Sequence, residues 1–167
     1  MMIRVPRSEE LFLLQSIEVE ANRRFAEVGI NDVVNDVPVS LETFEARRVV
    51  GRVWAVYEND LPVGFVVADF VDGCVHIEEM SVLPKHSGQG YGVALLEHVT
   101  TWAHSQGMPG ITLTTFSEVP WNRPFYERRG FHVLEDHELT PGLIDRRYAE
   151  AVRGLDPDRR VCMRYDV

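Results

Sequence analysis

Cysteine is nearly absent from this chain of 167 residues: Cys74 and Cys162 stand far apart and in no metal-ligand spacing. That argues against a disulfide framework and against a zinc site of paired cysteines, so no metal is expected. Both thiols are expected to be reduced and buried, in a cytoplasmic protein. Lysine is scarcer still, Lys85 being the only one among 17 basic residues, against 26 acidic ones and a net charge of −9. Such a balance disfavours nucleic acid and anionic membrane surfaces as partners. No apolar run approaches the length of a membrane span, and Met1–Arg7 has no apolar core of signal-peptide length. Repeats, low-complexity tracts and linkers are missing too. What is there is an ordinary globular composition, 45% hydrophobic and 26% charged, long enough for one core without staples. A single domain over residues 1–167 is expected.

The apolar spacing outlines an α+β order. Ile3–Val5 reads as a first strand. Ser8 is expected to cap a long amphipathic helix whose Leu11, Leu14, Ile17, Ala21 and Phe25 recur at helical spacing and which Gly29 ends. Ser40 caps a shorter helix. Val53–Glu58, Pro62–Phe70 and Cys74–Val82 form an antiparallel meander with turns at Asn59-Asp60 and Asp72-Gly73. A helix over Gly90–Gln106 leads to a strand at Ile111–Thr115, parallel to Cys74–Val82 through a crossover. A short helix at Pro124–Arg129, strands at Phe131–Leu134 and Val161–Tyr165, and a helix over Leu143–Arg153 complete the chain.

The run Met80-Ser81-Val82-Leu83-Pro84-Lys85-His86-Ser87-Gly88-Gln89-Gly90-Tyr91-Gly92 passes from a strand directly into a helix. Its alternating glycines let backbone N–H groups converge without Cβ interference, and the helix adds its positive end. The pattern suits a phosphate or pyrophosphate. A P-loop would end in Gly-Lys-Ser/Thr, and a dinucleotide fingerprint would space its glycines G-x-G-x-x-G. Neither pattern is present.

The segment resembles the acyl-CoA motif of the GNAT superfamily, Arg/Gln-x-x-Gly-x-Gly/Ala. Gly90 and Gly92 match the two small positions, Gly88 is a common extra, and Val82 and Pro84 match a Val-x-Pro that often precedes it. A second hallmark, an Asn and a Tyr before a Gly-Phe, is matched by Asn122, Tyr126, Gly130 and Phe131. The resemblance covers nearly the whole chain. It implies a three-layer α+β fold with a mixed, mostly antiparallel sheet of about seven strands flanked by helices. It also implies an acyl-CoA-dependent N-acetyltransferase with acetyl-CoA as cosubstrate. Met80, Ser81, Val82, Ser87, Gly88, Gln89, Gly90, Tyr91, Gly92, Asn122 and Tyr126 would then bind CoA. One position departs from the pattern: Ser87 stands where the family usually has Arg or Gln. Weaker CoA binding is expected, with Lys85 and His86 as the neighbouring groups able to compensate.

An alkyl ammonium must lose a proton before it attacks a thioester. Glu78 and Glu79 precede the loop, and alternation sends them to opposite faces of the strand. In the polyamine-acetyltransferase-like branch an acidic pair sits here and its first member is the proposed base, which favours Glu78 by resemblance. Tyr126 matches the tyrosine that protonates the leaving thiolate, and a phenol of pKa ~10 is protonated at neutral pH. Asn122 is expected to cap the short helix or bond the pantetheine. For the acceptor, a small-molecule amine, the resemblance points to Phe25, Trp54, Glu78, Thr114 and Phe116. A longer acyl donor, a protein N-terminus as acceptor, and a CoA-binding domain without turnover stay open as alternatives, as does a homodimer.

Overall fold

The structure, a computed structural model, describes residues 1–167. Its seven strands are β1 (Met2–Arg4), β2 (Val53–Glu58), β3 (Leu61–Val71), β4 (Cys74–Val82), β5 (Gly110–Phe116), β6 (His132–Val133) and β7 (Arg160–Asp166). The helices are α1 (Leu11–Asn22), α2 (Asn31–Val34), α3 (Leu41–Val49), α4 (Tyr91–Ser105), α5 (Arg123–Glu127) and α6 (Pro141–Val152). One sheet runs in the order β1-β2-β3-β4-β5-β7-β6. It is parallel only where β4 meets β5, among the registers resolved here, and antiparallel at β1–β2, β2–β3, β5–β7 and β6–β7. The expected mixed α+β sheet flanked by helices is the fold observed. The chain divides into two compact units, one of Met1–Asp69 with Glu78–Trp102 and the other of Phe70–Ile77 with Ala103–Val167.

In the first unit β2 is buried on both faces, which is why its sequence is apolar without alternating. Val53, Ala55 and Tyr57 join Leu11, Leu14 and Ile17 of α1, Phe44 of α3, and Phe65 and Val67 of β3 in one core cluster. Phe44 meets Phe65 edge to face at 5.3 Å, a geometry that adds about 0.5–1.5 kcal/mol to the burial itself. Trp54 points the other way, against His98 and Trp102 of α4 at 5.2 and 5.0 Å. Helix, sheet and helix thus stack as three layers. Ser40 caps α3 as expected, its hydroxyl accepting from the Thr43 N–H at 3.1 Å.

Ser8 does not cap α1. Residues Ser8–Glu10 form a 3-10 turn, and the Ser8 hydroxyl donates to Glu45 instead. The reason is a stronger acceptor nearby. The buried Glu10 carboxylate takes two bonds from Arg4, at 2.8 and 2.9 Å, one from the Arg7 N–H at 2.6 Å and one from the Tyr57 hydroxyl at 3.1 Å. Nor does α1 run unbroken to Gly29: it tightens into a 3-10 segment over Arg23–Val28, closed by Gly29 at φ 73°.

Gly64 on β3 marks a close approach. A Cβ there would lie 2.9 Å from the Ser81 carbonyl oxygen and 3.0 Å from the Val82 side chain. Only glycine lets β3 lie this near that part of β4.

In the second unit β5 pairs with β7 along its whole length, from Gly110↔Asp166 to Phe116↔Arg160. Leu143 of α6 closes a small cluster with Val71 and Cys162. Burial pushes the Cys162 thiol up to about 11, so it is an inert core group. Asp72 turns the chain between β3 and β4 at φ 49°. Its carboxylate accepts from the Gly142 N–H at 2.7 Å, pinning the start of α6.

Two stability predictions follow from these contacts. Gly64→Ala should cost about 1–3 kcal/mol, because backbone rather than a flexible side chain must move; an unchanged Tm would refute the close-approach argument. Glu10 is held down to about 2, from 4.5, first by the Arg4 bonds and then by the Arg7 N–H and Tyr57. The folded chain therefore stays ionised at this position where the unfolded chain binds a proton. Its contribution is full above about pH 5 and is lost as pH falls toward the folded value. Glu10→Gln should lower stability at pH 7 by about 1–3 kcal/mol and flatten the acid limb of a Tm-against-pH curve.

Candidate active site

β4 ends at Val82, and a 3-10 turn over Pro84–His86 follows, with the Ser87 N–H bonded to the Pro84 carbonyl at 3.0 Å. Ser87 is extended, and Gly88 and Gly90 then take φ of 76° and 87°. A side chain in that region is strained. Yet a Cβ at either glycine would meet nothing within 4 Å. These glycines answer to backbone shape and leave open space above the turn. α4 starts at Tyr91 and runs 15 residues, and the first N–H groups of any helix lack intrahelical partners. Bare backbone, open space and a helix N-terminus fit a diphosphate. The start of α4 is anchored by the Tyr91 hydroxyl, which donates to Glu58 of β2 at 2.5 Å, and this bond raises the phenol's pKa.

On β4 the acidic pair splits as alternation requires. Glu78 turns toward α3, where Arg47 donates to it through Nε at 2.7 Å and through a terminal nitrogen at 3.1 Å. The same guanidinium binds Asp69 at 2.7 Å, and Arg52 binds the other Asp69 oxygen at 2.7 Å. Glu78, Arg47, Asp69 and Arg52 form one chain of alternating charge. Glu78, first among the causes, raises the pKa of Arg47. Glu79 lies on the opposite parity and accepts from the buried Ser81 hydroxyl at 2.7 Å.

In the second unit, Asn122 precedes α5. Its carbonyl accepts from the Phe125 and Tyr126 N–H groups. Its side chain does not cap the helix; the amide donates to the Thr115 hydroxyl on β5 at 2.7 Å. Asn122 therefore ties the start of α5 to β5. Tyr126 is 8% exposed, its ring edge-on to Phe125 at 5.1 Å and Phe131 at 5.5 Å. That packing fixes the ring plane. The Thr114 carbonyl accepts from Arg160, whose guanidinium covers the buried Phe116 ring at 4.6 Å.

Residues 17–131 match the model of the Acetyltransferase (GNAT) family. The chain belongs to the GNAT acetyltransferases. Over 84 residues it is 29% identical to "Uncharacterized N-acetyltransferase YjcF" of Bacillus subtilis (strain 168), a stretch covering 50% of this chain and 58% of that protein. The match thus spans little more than half the length of this relative. Among solved structures, N-acetylglutamate synthase from Neisseria gonorrhoeae, complexed with coenzyme A and N-acetyl-glutamate, superposes with a TM-score of 0.73 at 18% identity. That match covers 99% of this chain and 34% of the synthase. The PaiA N-acetyltransferase from Thermoplasma acidophilum, in complex with coenzyme A, gives a TM-score of 0.69 at 16% identity, covering 99% and 98%. At these identities the likeness is one of fold.

Lys85 and His86, the neighbours expected to compensate for Ser87, do not bond its hydroxyl. His86 turns its Nδ1 toward Glu58, 3.5 Å away, and packs edge-on to Tyr91. Lys85 is exposed, and its carbonyl accepts from the Gln89 side chain. The group that reaches Ser87 is Arg24, whose guanidinium donates to the Ser87 hydroxyl at 3.3 Å.

Trp54, expected on the acceptor side, is 5% exposed and packed between the sheet and α4, away from α1 and α3. It is a core residue, because β2 is covered on both faces. Phe25 is buried at 9% exposure and anchors the 3-10 segment after α1. Sequence reasoning passed over Arg24, Arg47 and Glu58. No local pattern marks them, since each acts through a partner at least 30 positions away.

Arg47→Ala would leave Glu78 and Asp69 without their shared cation, and should cost about 1.5–3 kcal/mol. Adding Glu78→Gln should recover part of that loss. A double-mutant cycle by denaturant melts checks this, with a coupling above about 0.5 kcal/mol expected.

Proposed function

We propose that this protein moves an acetyl group from acetyl-CoA to a primary amine of a small molecule, by direct transfer in a ternary complex. One observation carries the reading: the open turn with Gly88 and Gly90 in the left-handed region, leading straight into α4, within the stretch that matches the GNAT family. The coenzyme A held by the N-acetylglutamate synthase and PaiA structures supports it. Acetyl-CoA supplies the activated thioester.

The amides of Ser87, Gly88, Gln89, Gly90, Tyr91 and Gly92 would hold the diphosphate, and the backbone of Met80, Ser81 and Val82 the pantetheine arm. A backbone N–H near Met80 would steady negative charge on the acetyl oxygen. Asn122 would fix the start of α5 and with it the backbone before Tyr126. Tyr126 would donate its proton to the departing sulfur. Glu78 would take the proton lost by the ammonium, through water. Arg47 holds Glu78 through two bonds, which fixes where the carboxylate stands on β4. Glu79, bonded to Ser81, is the other base in reach of the loop strand. Thr114 and Phe116 would bound the acyl end, with Phe25 on the acceptor side. The net charge of −9 suits a cationic amine better than an anionic acceptor.

Calorimetry with acetyl-CoA and thiol release with a panel of small amines test the proposal. Wild type should bind and turn over. Tyr126→Phe should bind with similar affinity while kcat falls by about 10²–10⁴, the range of general acid–base assistance. Glu78→Gln should lower kcat/KM by a comparable factor, with Glu79→Gln mild. The reverse order would make Glu79 the base. Absence of binding to any acyl-CoA would end the proposal.

A further inference from the structure

The Arg/Gln position of the CoA motif holds Ser87, a side chain with a hydroxyl and no charge. Arg24, 63 positions earlier, places its guanidinium on that hydroxyl at 3.3 Å. The geometry points to Arg24 as a CoA-binding residue of this chain, delivering to the 5′-diphosphate the cation that position 87 lacks. This inference rests on the CoA reading of the loop.

Three features support it. Arg24 sits in the 3-10 segment Arg23–Val28, whose next residue, Phe25, is buried, and the Ile30 N–H bonds the Phe25 carbonyl at 2.9 Å. The backbone carrying the guanidinium is therefore fixed beside the loop. Arg24 is half-buried, while Ser87, Gly88, Gln89 and Gly90 are exposed, so the loop face is reachable by a ligand that the guanidinium can also touch. The other nearby cationic groups are differently placed: His86 turns to Glu58 and Tyr91, and Lys85 lies on the exposed outer side of the turn. Arginine suits the task because its planar, permanently charged fork of five N–H donors matches phosphate oxygens, where the Ser87 hydroxyl brings one donor and no charge. Serine suits its position because an arginine there would set two guanidiniums side by side. Arg24 and a cation at 87 are alternatives.

The test is calorimetric and needs no turnover. CoA and dephospho-CoA, which lacks the 3′-phosphate, are titrated into wild type, Arg24→Ala, Ser87→Arg and the double variant, each shown to be folded by its Tm. Arg24→Ala should weaken both ligands by about tenfold or more, as expected for a bond between charged groups. The loss should shrink in 1 M salt, where the screening length is about 3 Å. Ser87→Arg alone should gain little or bind worse, whereas in the Arg24→Ala background it should restore most of the affinity. Equal affinity of Arg24→Ala and wild type for both ligands would overturn the inference and leave the acetyltransferase reading standing. A loss confined to CoA would also overturn it, by moving the contact to the 3′-phosphate. Wild type that binds neither ligand would remove both.

Discussion

A left-handed turn is cheap only where side chains stand aside, and the head of α4 depends on that constraint. Gly88 and Gly90 take φ of 76° and 87°, values costly for any residue with a Cβ, in a place where no neighbouring atom demands a small residue. The surroundings confirm that the turn is built to be held still. Tyr91 is tied to Glu58 on β2, the Ser87 N–H to Pro84, and the Leu83 N–H to the Val63 carbonyl. Strand, turn and helix are thus braced from within the same unit. The strand side of the brace needs Gly64, since a methyl there would push on the Ser81 carbonyl. One glycine in β3 and two in the loop are parts of one requirement: β4 must deliver its end at a set height and angle.

The charges on β4 obey a different logic. A carboxylate in a half-buried position must be solvated by something, and Glu78 is solvated by Arg47. Arg47 is itself shared with Asp69, which Arg52 also holds. Alternating charges in a row cost less ordering entropy than separate pairs, because each shared side chain is fixed once. The arrangement keeps the Glu78 carboxylate aimed toward α3.

The fold was largely legible from spacing. Val53–Glu58 and Cys74–Val82 lie within the residues the apolar runs marked, and Ser40 caps α3 as its sequence suggests. These signals are local, and local chemistry decides them. The misreadings have a common cause in competition from distant groups. Ser8 has the residue type of a cap, but Glu10 with Arg4 and Tyr57 offers stronger bonds. Asn122 has the same credentials, but Thr115 claims its amide. Trp54 looked available because one strand cannot reveal that both its faces are covered. The shape of the glycine turn was readable because its residues are consecutive in the chain. Arg24 and Arg47 were not, because their partners lie 63 and 31 positions away.

The net charge of −9 sharpens the role of a single arginine. At long range an acidic protein repels a polyanionic ligand and draws in a cationic amine. At physiological ionic strength that field is screened within about 8 Å, so it shapes encounter more than the bound state. With a diphosphate in the turn, as proposed, what would count is the donors within contact distance: amides, the helix end and whichever guanidinium lies beside them. Amides alone carry partial charges, and the ligand brings full ones. A loop with serine at its cation position, in a chain with this charge, has reason to borrow a cation from elsewhere, and Arg24 is the one whose guanidinium touches that serine.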